Sequence, residues 1–374
     1  MQNVLNIEEV LSKFNCKVDI GSMRVFGSGH INDTYFLKST EPGECDYLLQ
    51  CINHHIFKNV EELTKNTCLV IAHLKEKVAT ETHGDPEKEV MTLIETKDKN
   101  YYYQDSTCDY WRMLCFLKDT KSYDVVETEK QAYEGGKAFG KFQRMLSDLP
   151  AGIMYEVIPD FHNIEKRLAD LHEAVNNDIS GRVKSVKAEL DYLEQYAASM
   201  LYFQQPEQQA VLTKRVIHND TKFNNVLLNL KDEAQCVIDL DTVMDGYVAY
   251  DFGDAIRTII NTTAEDEADL DKIKLNMPLF DAYTKGYLRE AGSFLSDAEV
   301  NSLVMGVLLL PYMQAVRFLT DYINGDQYYK TKFEHHNLQR TRAQMELFKK
   351  LHAAKEELQS TVLNEADNYR AKVR

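Results

Sequence analysis

The segment from His218 to Asp239 combines a histidine, an aspartate, a lysine and an amide in its first eight residues and ends in another aspartate. Asp220 is a candidate base for orienting an attacking hydroxyl, and Lys222 is a candidate cation for the γ-phosphate of a nucleotide. We expect His218 to brace the loop by hydrogen bonding rather than to transfer protons. Because phosphoryl transfer is catalysed mostly by positioning and charge neutralisation, the pattern H-x-D-x-K-x-x-N predicts a phosphotransferase loop.

The same segment contains oxygen ligands for a divalent metal. Asn225 offers an amide oxygen, and Asp239 offers a carboxylate after what reads as a short hairpin. Mg²⁺ binds through one or two carboxylates together with waters and substrate phosphates, so this pair predicts a Mg²⁺ site. Asp241 would point the same way as Asp239 and either contact a second metal or support the first. A capping or solvent-exposed acid is the alternative for Asp241.

A second group of candidate residues lies near the N-terminus and would contact a nucleotide. Gly27, Ser28 and Gly29 fall between two predicted strands. Glycines there let the backbone approach phosphates and present N–H groups to them, although most such pairs are simple hairpin turns. Cys115 and Phe116 fall where two lobes are expected to join, and their backbone groups are candidates for binding an adenine edge.

These residues belong to two regions of different character, and a length of 374 residues predicts two lobes. Residues 1–117 contain short alternating runs and one helical pattern, which predict an antiparallel sheet with a helix packed on it. Residues 118–374 predict a larger, mainly helical lobe that carries the catalytic loop and the metal and acceptor sites. The tail after Leu351 is expected to be a solvated helix that frays. The predicted strands are 24–28, 34–38, 47–52, 91–95, 101–104 and 110–117, and the predicted helices are 60–77, 129–146, 164–176, 183–202, 250–261, 267–290, 297–323 and 337–357.

Composition narrows the class of protein. The formal net charge is −16, and without a Lys/Arg cluster this argues against a nucleic-acid binder. Seven scattered cysteines without a C-x-x-C pair predict reduced thiols in a cytoplasmic protein, and the N-terminus lacks the features of a signal peptide. The longest apolar stretch, 303–316, is too short to span a bilayer and predicts a buried core helix. We expect a monomer or a weak dimer that does not bind membranes.

These residues resemble the aminoglycoside phosphotransferase and choline kinase superfamily, and within it the N-acetylhexosamine 1-kinases. The resemblance implies a bilobal, protein-kinase-like α+β fold that uses ATP and Mg²⁺. It also implies transfer of the γ-phosphate to the anomeric hydroxyl of N-acetylglucosamine or N-acetylgalactosamine. The segments that carry it extend over nearly the whole chain: 27–35, 49–53, 110–112, 159–162, 218–225, 237–241 and 317–321.

One position departs from the pattern of many kinases of this fold. They place a lysine on the third strand to grip the α- and β-phosphates, and here the corresponding residue is Gln50. A glutamine can hydrogen bond to a phosphate oxygen but supplies no charge. Lys58 and Lys65 are possible substitutes for the missing cation, with a solvated surface position as the alternative for both.

The acceptor side is predicted from outlying residues. A neutral sugar needs a hydrogen-bonding network and an aromatic face, which Arg112 and Trp111 would provide. A core tryptophan with a salt-bridged arginine is the alternative. Arg317 and Asp321, one helical turn apart, either pair with each other or bind sugar hydroxyls. Asp220 would face the accepting hydroxyl.

Two further functions stay open from the residues alone. One keeps the mechanism and changes the acceptor to an aminoglycoside, choline or another amino alcohol. The other is a nucleotide-binding pseudokinase, which the glutamine at position 50 would favour. The combination of Asp220, Lys222, Asn225 and Asp239 argues against the pseudokinase, because a binder without catalysis has no need of all four.

Overall fold

The computed structural model describes residues 4–27 and 31–373. Its N-terminal part is an antiparallel sheet of five strands, which are β1 (Val18–Val25), β2 (Asp33–Ser39), β3 (Tyr47–Ile52), β4 (Tyr103–Gln104) and β5 (Tyr110–Cys115). The strand order is β1-β2-β3-β5-β4. Side chains alternate between the two faces of such strands. Each face of the sheet therefore packs against one helix.

Helix α1 (Val4–Lys13) packs on one face of the sheet, and helix α2 (Val60–Thr80) packs on the other. Leu49, Trp111 and Met113 face α1 in one apolar cluster. Ile52 and Leu114 belong to another cluster with the buried face of α2. The predicted sheet and the predicted helix at 60–77 are therefore confirmed, whereas α1 was not predicted.

The rest of the chain is mainly helical. Five short strands complete it: β6 (Thr120–Lys121), β7 (Arg215–Ile217), β8 (Val226–Asn229), β9 (Ala234–Val237) and β10 (Met244–Gly246). The remaining helices are α3 (Pro86–Glu89), α4 (Glu129–Leu146), α5 (Ile164–Asn177), α6 (Lys187–Met200), α7 (Pro206–Gln209), α8 (Val248–Ile259), α9 (Met277–Ala291), α10 (Asp297–Ile323), α11 (His336–Ala353) and α12 (Lys355–Val373).

Helix α10 is the centre of this helical part. It begins at a capping box formed by Ser296 and Glu299, and it has the bounds that the sequence predicts. By length and composition alone it is the one helix, within residues 4–27 and 31–373, that qualifies as a membrane span, and 78% of its apolar window is buried inside the protein. The prediction of a buried core helix at 303–316 is confirmed.

Three predicted elements and the predicted tail are wrong. A strand was expected over 24–28, but β1 ends at Val25. A helix was expected over 267–290, but α9 starts only at Met277, where Asn276 caps it and Pro278 occupies the first turn. Residues 91–95 form isolated bridges instead of a strand. Helix α12 is no fraying tail, because Leu358 and Val362 are fully buried.

The predicted state of the cysteines is wrong for one pair. Cys45 and Cys115 form a disulfide with their Cα atoms 5.7 Å apart. Cys45 precedes β3 and Cys115 ends β5, so the antiparallel pairing of these neighbouring strands brings together residues 70 positions apart. The other five cysteines are free.

Helices α8 and α10 approach each other closely through two glycines. A Cβ on Gly306 would lie 1.8 Å from the carbonyl oxygen of Ala249, and a Cβ on Gly253 would lie 2.3 Å from the carbonyl oxygen of Gly306. Both clashes involve backbone atoms, which cannot move away as a flexible side chain can. The contact therefore fixes the position of α8, which follows the catalytic segment.

We expect Gly306→Ala to lower the free energy of unfolding by about 1–3 kcal/mol or more, because α8 and α10 must separate. Gly21→Ala is the control, since Gly21 is exposed on β1 and an added Cβ would meet only a side-chain oxygen. Its effect should stay within about 0.5 kcal/mol. Urea denaturation followed by circular dichroism measures both, and equal stability of the two variants would contradict the packing argument.

Candidate active site

The catalytic loop, residues 218–225, follows β7 and is held by a buried carboxylate on α8. Asp251 Oδ1 accepts the backbone N–H of Asn219 at 2.7 Å, and Oδ2 accepts that of His218 at 2.9 Å. Oδ2 also accepts the side-chain amide of Gln143 at 2.8 Å. Burial raises the pKa of Asp251. Asp251 therefore braces the loop, and its side chain does not cap α8, whose N-cap is Tyr247.

His218 braces the loop from inside. Its Nε2 lies 2.9 Å from the carbonyl oxygen of Ile238, and its Nδ1 accepts the backbone N–H of Asp220 at 3.2 Å. These contacts assign the proton of the neutral ring to Nε2. With both nitrogens bonded to backbone groups, the imidazole positions Asp220 and does not carry protons to the reacting atoms.

Asp220 and Lys222 form an ion pair in the cleft, with Nζ 3.1 Å from Oδ1. Desolvation raises the pKa of Asp220, but the charge of Lys222 and its hydrogen bond to the carboxylate lower it, and the net direction is down, so the carboxylate is ionised at neutral pH. Asp220 in turn raises the pKa of Lys222, which stays charged. The two predicted catalytic groups therefore lie side by side as a carboxylate and an ammonium.

An ionic network near this pair, in which Arg257 and Asp254 are buried and Glu265 is exposed, was not predicted from the sequence. Arg257 Nε donates to Asp254 Oδ1 at 3.0 Å, and its Nη1 donates to Glu265 Oε1 at 2.6 Å. Asp254 and Glu265 both add to the raised pKa of Lys222. The only signal in the sequence was the i, i+3 spacing of Asp254 and Arg257 on a predicted helix.

Asn225 and Asp239 fit the metal site that the sequence predicts. Asn225 Nδ2 donates to the carbonyl oxygen of Asp220 at 2.8 Å, and no described residue is bonded to its Oδ1. Desolvation, and then the carboxylates of Asp241 and Asp220, raise the pKa of Asp239 to about 6. This excess of negative charge would be relieved by a divalent cation. Within the described part of the chain no group of three or more His, Cys, Asp or Glu side chains is arranged for a metal.

Asp241 is not placed as a metal ligand, which corrects the prediction. Both of its oxygens bind the guanidinium of Arg112, and Oδ2 also accepts Asn32 Nδ2 at 2.8 Å. Asp241 and Arg112 are 2% and 5% exposed, and neither lines the cavity of Arg317 that is described below. Gln50 Oε1 accepts Arg112 Nε at 2.8 Å and its Nε2 donates to Thr34 Oγ1 at 3.0 Å, so Gln50 supports this arginine.

The prediction that Trp111 stacks on a sugar is wrong. Its ring is fully buried against α1, and its Nε1 donates to Asp105 at 2.7 Å. Trp111 and Arg112 are neighbours on β5 and therefore point to opposite faces of the sheet. The core alternative is correct for the tryptophan.

An open cavity of about 940 Å³ is lined by Arg317, Phe161 and Tyr329, among others, and by no residue of the catalytic loop. It is linked to the loop through His162, which follows Phe161 and whose Nε2 lies 3.0 Å from the carbonyl oxygen of Asn219. The guanidinium carbon of Arg317 lies 5.6 Å from the centres of both aromatic rings. Asp321 does not pair with Arg317 and is not placed to bind a sugar. Its oxygens accept the backbone N–H groups of 327–329 at 2.8–3.0 Å, which shapes the loop that carries Tyr329.

The structure describes three of the backbone positions that are predicted to contact a nucleotide, Gly27, Cys115 and Phe116. Gly27 has φ +78° and open space where a Cβ would be, while Ser28 and Gly29 lie outside the described residues. The N–H of Cys115 donates to Thr92 at 2.9 Å, and the N–H of Phe116 donates to Asp46 at 2.7 Å. These two N–H groups are therefore not free for an adenine, which corrects that part of the prediction.

The geometry agrees with comparisons to known proteins. Residues 22–290 match the model of the phosphotransferase enzyme family. An aminoglycoside phosphotransferase from Alicyclobacillus acidocaldarius is 13% identical, with a TM-score of 0.64 and 96% of each chain covered. A choline kinase from Cryptosporidium parvum is 12% identical, with a TM-score of 0.54 and 90% of each chain covered.

A spectinomycin phosphotransferase, solved as an AMP-bound complex, is a third similar structure. It is 11% identical, with a TM-score of 0.56 and coverage of 94% of this chain and 99% of that one. At such identities the likeness shows the fold alone. It confirms the predicted α+β, bilobal, kinase-like fold class.

We expect Asp251→Ala to lower the free energy of unfolding by about 2–6 kcal/mol, from about 1–3 kcal/mol for each of the two buried N–H groups left without an acceptor. Asp251→Asn keeps one acceptor oxygen and should cost less. Asp191→Ala, at an exposed position on α6, is the control. Denaturant titrations of the three variants measure these values. An Asp251→Ala protein as stable as the Asp191→Ala protein would show that this carboxylate does not hold the loop.

Proposed function

This chain belongs to the phosphotransferase enzyme family, and we propose that it is an ATP-dependent kinase of the anomeric hydroxyl of N-acetylhexosamines, using Mg²⁺. The observation that carries the acceptor assignment is Arg317, a guanidinium that lies between two aromatic rings and lines the cavity linked to the catalytic loop through His162. The nucleotide assignment is supported by the Gly27 turn and by the AMP complex of the similar spectinomycin phosphotransferase.

In the proposed reaction Asp220 accepts a hydrogen bond from the sugar hydroxyl and takes its proton. The hydroxyl oxygen bonds to the γ-phosphorus as the bond to the β–γ bridging oxygen breaks, giving the sugar 1-phosphate and ADP. Lys222 lies 3.1 Å from Asp220 and faces the transferred group as a fixed positive charge. Asn225 and Asp239 would hold Mg²⁺, which neutralises phosphate charge when bound.

The charges of the cavity favour a neutral acceptor over a cationic one. Two of its acids are already committed, because Asp321 binds backbone N–H groups and Asp170 pairs with Lys166 and Arg167. Glu156 and Glu173 are exposed at its rim. Arg317, in contrast, forms no ion pair with any described residue. A quaternary ammonium or an aminoglycoside would meet a guanidinium where it needs a carboxylate.

The polar and aromatic groups of the cavity suit an acetamido sugar. Arg317 commits one N–H to Gln314 Oε1 at 3.1 Å, which leaves donors for an amide carbonyl and for sugar hydroxyls. Tyr155 and Tyr328 line the cavity and are 45% and 58% exposed. They offer the aromatic face that Trp111 was expected to supply. The uncommitted Asp239 carboxylate argues against a pseudokinase.

We expect Asp220→Asn to lower kcat at least about 100-fold, because an amide cannot take the proton of the acceptor. The amide retains the shape and the hydrogen bonds of the loop, so the melting temperature should change little. Asp191→Asn, on the exposed face of α6, is the matched control and should keep full turnover. A coupled assay of ADP release measures kcat for both variants. An undiminished kcat in Asp220→Asn would refute the role of Asp220 as the proton acceptor.

We expect ³¹P NMR after incubation with ATP, Mg²⁺ and a panel of acceptors to show an anomeric phosphate on N-acetylglucosamine or N-acetylgalactosamine. Arg317→Met should raise the sugar KM roughly 10- to 100-fold, since hydrogen bonds from a charged group are lost, with the ATP KM unchanged. Arg289→Met, exposed on α9, is the control. Strong turnover of choline or kanamycin with none of the N-acetylhexosamines would overturn the acceptor assignment.

A further inference from the structure

We propose that Arg112 supplies the fixed positive charge for the nucleotide phosphates, in place of the lysine that the third strand lacks, and that Asp241 and Gln50 hold it in position. Kinases with that lysine hold it by a carboxylate from a helix, and the pair grips the α- and β-phosphates. The proposal rests on the nucleotide half of the proposed function and is independent of its acceptor.

The sheet places Arg112 beside the position of the missing lysine. Gln50 pairs in register with Arg112 on β5 and with Thr34 on β2. Directly opposite residues of an antiparallel pair project from the same face, so the three side chains form one row. Arg112 Nε donates to Gln50 Oε1, and Gln50 Nε2 donates to Thr34 Oγ1. The positive charge of Arg112 therefore lies on β5, one strand away from the position on β3 where other kinases have the lysine.

Asp241 provides the carboxylate that such a cation needs. It belongs to a 3₁₀ turn at Leu240–Thr242 that directly follows the metal residue Asp239. Both of its oxygens bind Arg112. A guanidinium has five N–H groups, and the contacts to Gln50 and Asp241 account for three. Two N–H groups stay uncommitted among the described residues, and a planar guanidinium suits phosphate oxygens.

The same carboxylate links Arg112 to the turn that follows β1. Asp241 Oδ2 accepts Asn32 Nδ2 at 2.8 Å, and Asn32 Oδ1 accepts the backbone N–H of Asn53 at 3.0 Å. Asn32 lies five residues after Gly27 and one before β2. Asn32, at the start of β2, and Arg112 on β5 are thus joined through one carboxylate, two residues after the proposed metal ligand Asp239.

Neither lysine that the sequence offers as a substitute is placed for this role. Lys65, one predicted substitute, is exposed and pairs with Glu61 and Glu62 on its own helix. Lys58, the other, lines the acceptor cavity. Helix α2 turns Asn66 rather than an acid inward, and that amide donates to the carbonyl oxygens of Tyr155 and Val243.

The test uses a neutral replacement of the pair, Arg112→Gln with Asp241→Asn, because removing one charge alone would leave the other buried and unpaired. Arg342→Gln with Glu189→Gln removes another Arg–carboxylate pair, between α11 and α6, and is the matched control. Calorimetry measures the affinities for ADP and for adenosine without acceptor, with Mg²⁺ and with a chelator, and the melting temperature of each variant is recorded.

We expect the Arg112/Asp241 variant to bind ADP roughly 10- to 100-fold more weakly, as for a lost charge-assisted hydrogen bond, with adenosine affinity unchanged. The loss should persist in the chelator, and adding Gln50→Lys should recover ADP binding. The control pair should change neither ligand. Unchanged ADP affinity, an equal loss for adenosine, or a loss seen only with Mg²⁺ would each overturn the assignment of Arg112. Failure of the wild-type protein to bind ADP would overturn the nucleotide half of the proposed function as well.

Discussion

The arrangement of the site depends on one buried carboxylate that receives the backbone of the catalytic loop. Asp251 accepts the N–H groups of His218 and Asn219, which no helix or strand satisfies. Buried N–H groups without acceptors are costly, so the loop conformation exists only where this carboxylate is present. The close contact of α8 with α10 through Gly253 and Gly306 sets where the carboxylate lies. Packing among helices thus determines the geometry of a loop that is not itself regular.

The loop then distributes charge in a defined pattern. Asp220 and Lys222 are paired with each other, while Asp241 is neutralised by Arg112. Asp239 has no cation at ion-pair distance among the described residues, and its pKa is raised by desolvation and by the carboxylates around it. The site therefore concentrates its unbalanced negative charge at the position where a metal would bind. Such preorganised charge is the main means of catalysis in phosphoryl transfer.

Local signals explain what the sequence predicted correctly. Helices α4 and α10 have the predicted bounds because Thr128 and Ser296 cap their N-termini, and a cap is visible as a residue type next to a periodic pattern. The spacing likewise predicted that Asp220 and Lys222 lie together, since both belong to one short segment, and the structure places them 3.1 Å apart. The proposed metal ligands Asn225 and Asp239 lie within the same segment, one before and one after the hairpin of β8 and β9.

The errors at the site arise where the partners of a residue lie outside its own segment. Arg112 and Asp241 are 129 positions apart, and nothing near either residue indicates the other. Side chains alternate along β5, so Trp111 and Arg112 point to opposite faces of the sheet. Because Arg112 points toward the cleft, Trp111 points into the core. Asp321 was correctly placed on a helix, but its role depends on the backbone of a loop that follows. A residue type therefore predicts chemistry only when its partners lie in the same segment, and the acceptor side of this site, assembled from separate elements, required the fold.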